Sequence, residues 1–415
     1  MILSPARRRL VSRAATYGIA GAVALQLGMA AVLVVVDAVR KRRSPPSGYF
    51  PRRSPGVVHA HESTLSVFTD GDELYAAMMR DIRGATESIY FETYIWKGDD
   101  VGEAFKSELT AAAHRGVRVH VIYDTFANLV VPRAFKDFDP ALEVLPFGLI
   151  NGRSPLSPRT YARDHRKLLV VDERIGYVGG YNIGRRYADS WRDTHLRIEG
   201  PAAWELSNAF VDFWNYYKRR SDPELPDLGA RRWDARIRAA LNLPNRWLFP
   251  VRGLYIDGIE RAVSRVAITQ GYFLPDQEIA SALLRAVKRG VEVRVLIPEV
   301  SNHVIADWVS RGDYDRLLRG GVRIFLFQHA MVHAKTATVD GRWTTIGTTN
   351  IDRLSLTGNF EINLEIYDEG LAHVMEEIFE TDLTNARELT LDEWDARPWY
   401  HRVAERVVHP LGPLL

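Results

Sequence analysis

The sequence contains no cysteine, so disulfide bonds, thiolate metal sites and a cysteine nucleophile are excluded. It also lacks a strong charge imbalance, because a formal net charge of +2 gives no reason from bulk charge to expect a nucleic-acid partner. With 46% hydrophobic and 26% charged residues, the composition is that of a folded protein, and 415 residues are enough for two domains. General disorder is therefore excluded as well.

Charged residues are missing over one long stretch near the N-terminus. Residues 14–36, between Arg13 and Asp37, are rich in Ala, Val, Leu and Gly, and Gln26 is their one strongly polar side chain. As a helix, these 23 residues would span about 34 Å, enough to cross the core of a bilayer. A cleaved signal peptide is the alternative, but its apolar region is usually about 7–15 residues long. We predict an uncleaved membrane anchor followed by a basic linker, together residues 1–58.

Basic residues flank this apolar stretch unequally. Four precede it and six follow it, namely Arg7, Arg8, Arg9 and Arg13 on one side and Arg40, Lys41, Arg42, Arg43, Arg52 and Arg53 on the other. Positive charge favours the cytoplasmic side of a membrane. We therefore predict a single-pass protein of the inner (cytoplasmic) membrane, with the large C-terminal part of the chain on the cytoplasmic side.

A repeated motif is the strongest feature of the sequence. The pattern His-x-Lys-x4-Asp occurs twice, at His165, Lys167 and Asp172 and again at His333, Lys335 and Asp340. In both copies six residues separate the Asp from a pair of small residues, and an Asn follows: Gly179, Gly180 and Asn182, then Gly347, Thr348 and Asn350. Two extended copies at matching spacing are not expected by chance.

The sequence around the motifs is also duplicated. Each half contains a helical pattern, a β-branched and aromatic strand, a second helix, an Arg-Gly-Val turn with another strand, and then its motif. This alternation predicts an α/β fold with a largely parallel, covered sheet, and the two motifs would meet across a pseudo-twofold axis. The predicted domains are residues 59–220 and 251–388, with a connector at 221–250 and an amphipathic tail at 389–415.

The residue types of the motifs indicate phosphate chemistry. If the motifs face each other, two imidazoles can supply a nucleophile and an acid or base. The lysines and the amides of Asn182 and Asn350 offer positive charge and N–H donors for phosphate oxygens. The small residues Gly180 and Thr348 would let the backbone approach the phosphoryl group. Nothing in the motifs resembles a metal cage, so we expect neither a metal nor another cofactor.

Two further acids occupy matching positions in the repeats. Asp193 lies 28 residues after His165, and Glu361 lies 28 residues after His333. A catalytic histidine usually needs a carboxylate on its second nitrogen, so these acids are candidates to orient the histidines; ordinary strand-end acids are the alternative. Asp172 and Asp340 complete the catalytic motifs, but their place at strand ends indicates a mainly structural role.

The aromatic residues allow a simpler interpretation than catalysis. We expect a set of them to be core residues rather than a lipid-binding stripe: Tyr94, Trp96, Trp204, Phe210, Phe213 and Trp214. The tail permits two interpretations. Its apolar residues could form one helical face on a membrane, with arginines as headgroup contacts, or the helix could pack on the domain. The apolar set is Trp394, Trp399, Tyr400, Val403, Val407 and Val408, and the arginines are Arg397, Arg402 and Arg406.

The two motifs resemble the HKD motifs of the phospholipase D superfamily, and the likeness extends from about residue 64 onward. HRKLLVVD with YVGGYNI, and HAKTATVDGRWTTIGTTNIDRLS with NFEINLEIYD, are similar to the motifs of bacterial cardiolipin synthases. The ending DEWDARPWYHRVAER also resembles that family. Thr348 stands where the family commonly has Ser. The resemblance implies two tandem phospholipase D-like α/β/α domains with pseudo-twofold symmetry, preceded here by one transmembrane helix.

The same resemblance implies a ping-pong phosphatidyl transfer. One histidine, His165 by family analogy, would attack phosphatidylglycerol to form a phosphohistidine, and His333 would serve as acid and then base. The expected partners are phosphatidylglycerol and the bilayer, without nucleic acid; the oligomeric state stays open. A hydrolytic phospholipase D that releases phosphatidic acid is the first alternative, and an HKD nuclease is the second.

Overall fold

The computed structural model describes residues 5–43, 45–151, 157–227, 229 and 236–414. Helix α1 (Pro5–Arg43) begins the described chain. Its segment Ala20–Arg43 is long and apolar enough to cross a membrane, and 6% of the most apolar stretch within it is buried against the rest of the protein. A helix with that composition and so little burial is suited to lipid contact. The apolar stretch identified in the sequence is therefore a helix, continuous with the basic residues that follow it.

Among its described residues, the first half of the chain contributes nine strands and, after α1, four α-helices. The strands are β1 (Gly56–Ala60), β2 (Ser63–Phe68), β3 (Ser88–Thr93), β4 (Arg118–Asp124), β5 (Glu143–Phe147), β6 (Leu168–Val171), β7 (Ile175–Gly179), β8 (Trp191–Arg192) and β9 (His195–Glu199). The helices are α2 (Gly71–Gly84), α3 (Asp100–His114), α4 (Arg185–Asp189) and α5 (Trp204–Tyr217). Side chains of Asp70 and Asp99 cap α2 and α3, which explains where both helices begin.

The second half follows a similar order, with an additional helix before its third parallel strand and further elements at its end. The strands are β10 (Ile237–Asn242), β11 (Arg265–Gln270), β12 (Glu292–Pro298), β13 (Arg323–Phe327), β14 (Met331–Val332), β15 (Lys335–Val339), β16 (Trp343–Gly347), β17 (Glu361–Tyr367) and β18 (Ala386–Leu389). The helices are α6 (Pro250–Arg261), α7 (Gln277–Lys288), α8 (Val304–Arg319), α9 (Arg353–Thr357), α10 (Glu369–Leu383), α11 (Leu391–Asp395) and α12 (Trp399–Val408).

Each half forms an eight-stranded sheet, and seven of the strands match in order between the two sheets; β1 extends the first sheet at one edge, and β18 extends the second at the opposite edge. The orders are β1-β2-β9-β7-β6-β3-β4-β5 and β10-β17-β16-β15-β11-β12-β13-β18. Only the β3-β4-β5 and β11-β12-β13 groups are parallel; the other pairs within the sheets are antiparallel. The prediction of a largely parallel sheet was therefore wrong. The motif strands β6 and β15 turn back through short hairpins, and a hairpin produces antiparallel neighbours.

Strand boundaries also differ from the predicted domain boundaries. Strand β10 lies inside 221–250, the predicted connector, and forms the edge of the second sheet by pairing with β17; residues 228 and 230–235 of that connector lie outside the described residues. Strand β1 begins inside the predicted linker, and β18 extends the second sheet to Leu389. These strands were overlooked because edge strands are short and only partly buried, so they carry a weak hydrophobic pattern.

The two halves share a hydrophobic core. One cluster of buried side chains takes members from β7 and β9 of the first sheet, from β16 and β17 of the second, and from helices α5 and α10. Parallel pairing of β8 with β14 adds main-chain contact between the halves. Arg192 forms a buried ion pair across the same junction, with its Nη2 2.6 Å from the Asp382 carboxylate. The halves are thus fixed relative to each other.

The tail packs on the protein through only some of its apolar residues. Trp394 and Val408 are buried, whereas Trp399 and Tyr400 are 74% and 56% exposed. Val408 packs in a small apolar cluster with Leu33 of α1 and Val309 of α8. The predicted single apolar face is therefore split, because α12 turns one side to the protein and the other to its surroundings.

Candidate active site

Main-chain pairing between the halves places the two motifs beside each other. In the β8–β14 ribbon, Val332 lies opposite Arg192, so the next residues, His333 and Asp193, are neighbours. An isolated parallel bridge pairs Asp164 with Phe360 in the same way. The backbone N–H of His165 then donates to the Phe360 carbonyl at 3.0 Å, and that of His333 to the Arg192 carbonyl at 2.7 Å.

Each histidine consequently receives a carboxylate from the opposite half. Nδ1 of His333 lies 2.7 Å from Oδ2 of Asp193, and Nδ1 of His165 lies 2.9 Å and 3.0 Å from the two oxygens of Glu361. Equal spacing along the sequence identified these two acids. It gave no indication that each acid contacts the histidine of the other repeat. The second ring nitrogen, Nε2, is left as the reactive atom of both imidazoles.

The residue two positions before the motif asparagine is Gly180 in the first half and Thr348 in the second. The structure gives a steric reason for the glycine. A Cβ on Gly180 would lie 2.1 Å from Oδ1 of Asp193, so a side chain there would displace that carboxylate. At the matching position, Thr348 donates its hydroxyl to Glu361 at 2.5 Å. Neither residue lines the cavity described below. Gly180 thus leaves room for the Asp193 carboxylate, and Thr348 holds that of Glu361, while their contact with phosphate stays a prediction.

The motif lysines are anchored on their own histidines. Nζ of Lys167 donates to the His165 carbonyl at 2.7 Å, and Nζ of Lys335 donates to the His333 carbonyl. Burial lowers the pKa of Lys167 to about 7 and that of Lys335 to about 8, although the nearby carboxylates oppose this. An ammonium has three donors, so the bond to a carbonyl leaves further N–H groups on each lysine.

The motif asparagines lie on the wall of the same site. Asn182 and Asn350 line the cavity that also contains both histidines. The side-chain oxygen of Asn182 accepts from the Ile95 N–H at 3.2 Å, so the oxygen and not the NH₂ group is committed to the protein. The structure therefore brings both histidines and both asparagines to one cavity.

Burial keeps both histidines neutral in the free protein. It lowers the pKa of His333 to about 3, with Lys335 adding to the effect and Asp193 opposing it. The pKa of His165 also lies well below its ordinary value, first because of burial and then because of Lys167 and Lys335. An anionic phosphate diester beside the lysines would favour the imidazolium form and raise both values. Neutral imidazole is the form that can act as a nucleophile.

The two carboxylates differ in ionisation. Burial raises the pKa of Glu361 to about 8, and Lys167 opposes this only in part. Burial acts on Asp193 in the same direction, but Lys335 and His333 outweigh it and hold the pKa of Asp193 below its ordinary value. Asp193 is therefore the carboxylate better able to stabilise a protonated histidine.

Asp172 and Asp340 lie away from the histidines, at the far ends of β6 and β15. The Asp172 carboxylate accepts the backbone N–H groups of residues 86–88 at 2.8–2.9 Å, together with the Thr86 hydroxyl. Asp340 accepts the N–H groups of residues 263–265 and the Ser264 hydroxyl, all at 2.8 Å. These bonds lower the pKa of both carboxyls although burial opposes them. The bonds agree with the mainly structural role expected for both aspartates, because each ties a motif strand to the start of its neighbour.

The cavity has a volume of about 660 Å³, and some residues that line it were not identified as site residues from the sequence. The Tyr94 ring lies edge-on to the His165 ring with the two centroids 4.6 Å apart, and the ring centroids of Trp191 and His333 are 5.0 Å apart. Tyr94 was expected in the core, but it lines the cavity, whereas Trp96 is buried as expected. Its position in the chain could have indicated this, because Tyr94 directly follows the end of β3, at the edge of the sheet where the motifs lie. Tyr272 and Asp352 also line the cavity.

Comparison with known proteins assigns the chain to a family. A family model described as "Cardiolipin synthase, PLD-like domain" matches residues 78–214 and 255–383. The chain belongs to this family. Its match falls in two segments, one in each half, and each segment contains one His-Lys-Asp motif.

Curated relatives are similar over most of the chain. The major cardiolipin synthase ClsA of Bacillus subtilis (strain 168) is 30% identical over 371 residues, covering 86% of this chain and 77% of that protein. The cardiolipin synthase of Staphylococcus aureus (strain Mu50) is 31% identical, with 85% and 74% covered. The cardiolipin synthase of Geobacillus kaustophilus (strain HTA426) is 32% identical, with 85% and 72% covered.

Solved structures share the fold at low sequence identity. The phosphatidylserine synthase of Haemophilus influenzae Rd KW20 matches with a TM-score of 0.67 at 14% identity, over 90% of this chain and 97% of that one. The polyphosphate kinase of Porphyromonas gingivalis matches with a TM-score of 0.54 at 15% identity, over 85% of this chain and 53% of that one. These likenesses concern the two-domain fold alone.

Proposed function

We propose that this protein is a cardiolipin synthase, which transfers a phosphatidyl group from one phosphatidylglycerol to another and releases glycerol. The observation that carries the proposal is the pair of facing histidines in one cavity, each bonded to a buried carboxylate of the opposite half. Relatives at 30–32% identity named as cardiolipin synthases favour this substrate over other phosphodiesters. An apolar helix that ends at the cavity also fits a membrane-embedded substrate.

In the first half-reaction, Nε2 of His165 attacks the phosphorus of the donor lipid. A P–N bond forms and the P–O bond to the headgroup glycerol breaks. His333, which takes up a proton from solvent when the anionic lipid binds, gives that proton to the departing oxygen. The ionised Asp193 supports this choice of acid, because it stabilises the imidazolium of His333 better than Glu361 stabilises that of His165.

In the second half-reaction, a terminal hydroxyl of another phosphatidylglycerol attacks the phosphohistidine. His333 removes the proton of that hydroxyl, a P–O bond forms, and the P–N bond to His165 breaks. Lys167 and Lys335 would hold the non-bridging oxygens, together with the amides of Asn182 and Asn350. The two steps consume two phosphatidylglycerol molecules and yield one cardiolipin and one glycerol, and both histidines return to their initial states.

The membrane arrangement is part of the proposal. We place α1 in the cytoplasmic membrane as a single span and the catalytic halves on the cytoplasmic side. The larger group of basic residues after the apolar stretch supports this orientation.

Purified protein in mixed micelles of phosphatidylglycerol tests the function directly, with products identified by mass spectrometry. We expect cardiolipin and free glycerol in equal amounts, and neither from His165→Ala or His333→Ala protein. Phosphatidic acid as the main product would make the protein a hydrolase, and no lipid turnover would overturn the proposal. Acid-sensitive phosphate trapped on a peptide containing His165 supports the assigned nucleophile; trapping on His333 would reverse the roles.

A further inference from the structure

The last turns of the membrane helix form one wall of the active-site cavity. Val34, Asp37, Ala38 and Lys41 line the same cavity as His165 and His333. Packing fixes this end of the helix, because Leu33 is 6% exposed and lies in an apolar cluster with side chains of α8 and α12. Residues of α1 therefore belong to the substrate site as well as to the anchor.

Lys41 brings a positive charge to this wall. Its Nζ lies 2.7 Å from the Asp37 carboxylate and donates to the Ser301 carbonyl at 3.0 Å. Arg40 pairs with the same carboxylate, so the three groups keep a net positive charge. The Lys41 side chain is 31% exposed, and an ammonium with two partners has a third donor for a ligand.

The reaction proposed above needs a cation at this place. Both substrates carry an anionic phosphate diester, and the motif lysines serve the phosphate that reacts. When the acceptor hydroxyl reaches the phosphohistidine, the acceptor's own phosphate is separated from that hydroxyl only by the headgroup glycerol. Among the described residues that line the cavity, Lys41 is the one lysine or arginine. Burying the second phosphate there without a cation would be costly.

We propose that Lys41 binds the phosphate of the acceptor lipid, an inference that rests on the proposed function. The site would then favour an anionic phospholipid over water or a neutral alcohol as acceptor. Lys41 takes no part in bond making, so it acts as a specificity-determining residue. Its location also means that the acceptor enters along the membrane helix, with its phosphate at the end of the anchor.

A partition experiment separates the acceptor step from the donor step. Phosphatidylglycerol in mixed micelles is supplied with deuterated glycerol, and two products are measured together: cardiolipin, and phosphatidylglycerol with an exchanged headgroup. Exchange needs the donor lipid and the neutral acceptor glycerol, whereas cardiolipin formation needs the anionic acceptor. The ratio of cardiolipin to exchanged lipid does not depend on how much of a variant is folded, so a destabilised variant remains informative.

Lys41→Met should lower this ratio at least about tenfold, the effect of losing one charge-assisted hydrogen bond. Lys41→Arg should keep it near the wild-type value. Arg42→Met is the matched control, because Arg42 is an exposed cation one position away that does not line the cavity. An unchanged ratio in Lys41→Met, or an equal fall in Arg42→Met, would overturn the proposal. Wild-type protein that forms neither product would instead refute the proposed function.

Discussion

Each histidine contacts a carboxylate from the opposite half of the chain. This exchanged arrangement leads to a prediction that can be tested on a single variant, Asp193→Asn. The Asn side chain keeps the size of Asp and can still accept the Thr194 N–H that now bonds Oδ1 at 2.7 Å. Its NH₂ group would then face Nδ1 of His333, where Oδ2 lies at 2.7 Å in the native protein. An N–H donor at that position opposes protonation of Nδ1 and so removes the imidazolium that His333 needs as an acid.

The expected loss follows from the role of the acid. With phosphatidylglycerol, whose leaving group is an alkoxide unless protonated, the first turnover should slow by roughly 10²–10⁴-fold, or about 3–5.5 kcal/mol. With a phosphatidyl ester of p-nitrophenol, the leaving group needs no proton. The pre-steady-state burst of p-nitrophenol should then stay within about tenfold of wild type.

The same burst assay decides which histidine Asp193 serves. If Asp193 oriented the nucleophile of its own half, His165, the activated leaving group would not relieve the defect, and an equally large loss of the burst would refute the exchanged arrangement. Glu361→Gln is the matched variant, because Glu361 contacts His165 at 2.9 Å and 3.0 Å. Its defect should persist with the activated substrate, since attack by His165 is still required.

Three other perturbations follow from individual contacts. Because burial lowers the pKa of Lys167 to about 7 and that of Lys335 to about 8, their charges are lost as pH rises; kcat/KM for phosphatidylglycerol should fall from about pH 7 upward, and a flat profile up to about pH 10 would contradict this. Asp340→Ala breaks four hydrogen bonds and should cost about 2–4 kcal/mol of stability with KM unchanged. The pKa of Asp340 is lowered in the folded protein, so this contribution is present above its ordinary pKa and is lost as pH falls through the folded value; thermal melts of both proteins against pH check it. Trp399→Ser should leave the melting temperature unchanged, because that ring is 74% exposed, and should lower activity several-fold on vesicles but not on micelles; equal losses on both would argue against membrane contact.

The sequence was sufficient for the elements that carry a strong local signal. Helices α2, α3 and α7 and the strands of both motifs lie where the hydrophobic pattern placed them, because each helix buries one face and the motif strands are buried along their whole length. The duplicated motifs and the matching positions of Asp193 and Glu361 also came from the sequence alone. These features are local in the chain or repeated in it, which is why one sequence can reveal them.

Features that depend on contact between distant segments were not predictable. Strand direction depends on the hairpins that follow the motifs, and the edge strand β10 shows little hydrophobic alternation. The roles of Gly180 and Thr348 depend on the carboxylates beside them, which come from strands that only the folded sheets bring near. The place of Lys41 in the cavity requires α1 to pack on α8 and α12, a contact between the two ends of the chain.

The exchange of carboxylates makes each half incomplete by itself. Both His–carboxylate pairs depend on main-chain pairing between the halves, through the β8–β14 ribbon for His333 and the Asp164–Phe360 bridge for His165. A shift of one residue in either of these main-chain pairings would turn the side chains of one strand to the opposite face. The histidine held by that pairing would then lose its carboxylate. The buried Arg192–Asp382 ion pair and the shared core oppose such a shift. Catalytic geometry is therefore a property of the interface, and Gly180 and Thr348 accommodate the two carboxylates there in different ways, one by leaving room and one by donating a hydrogen bond.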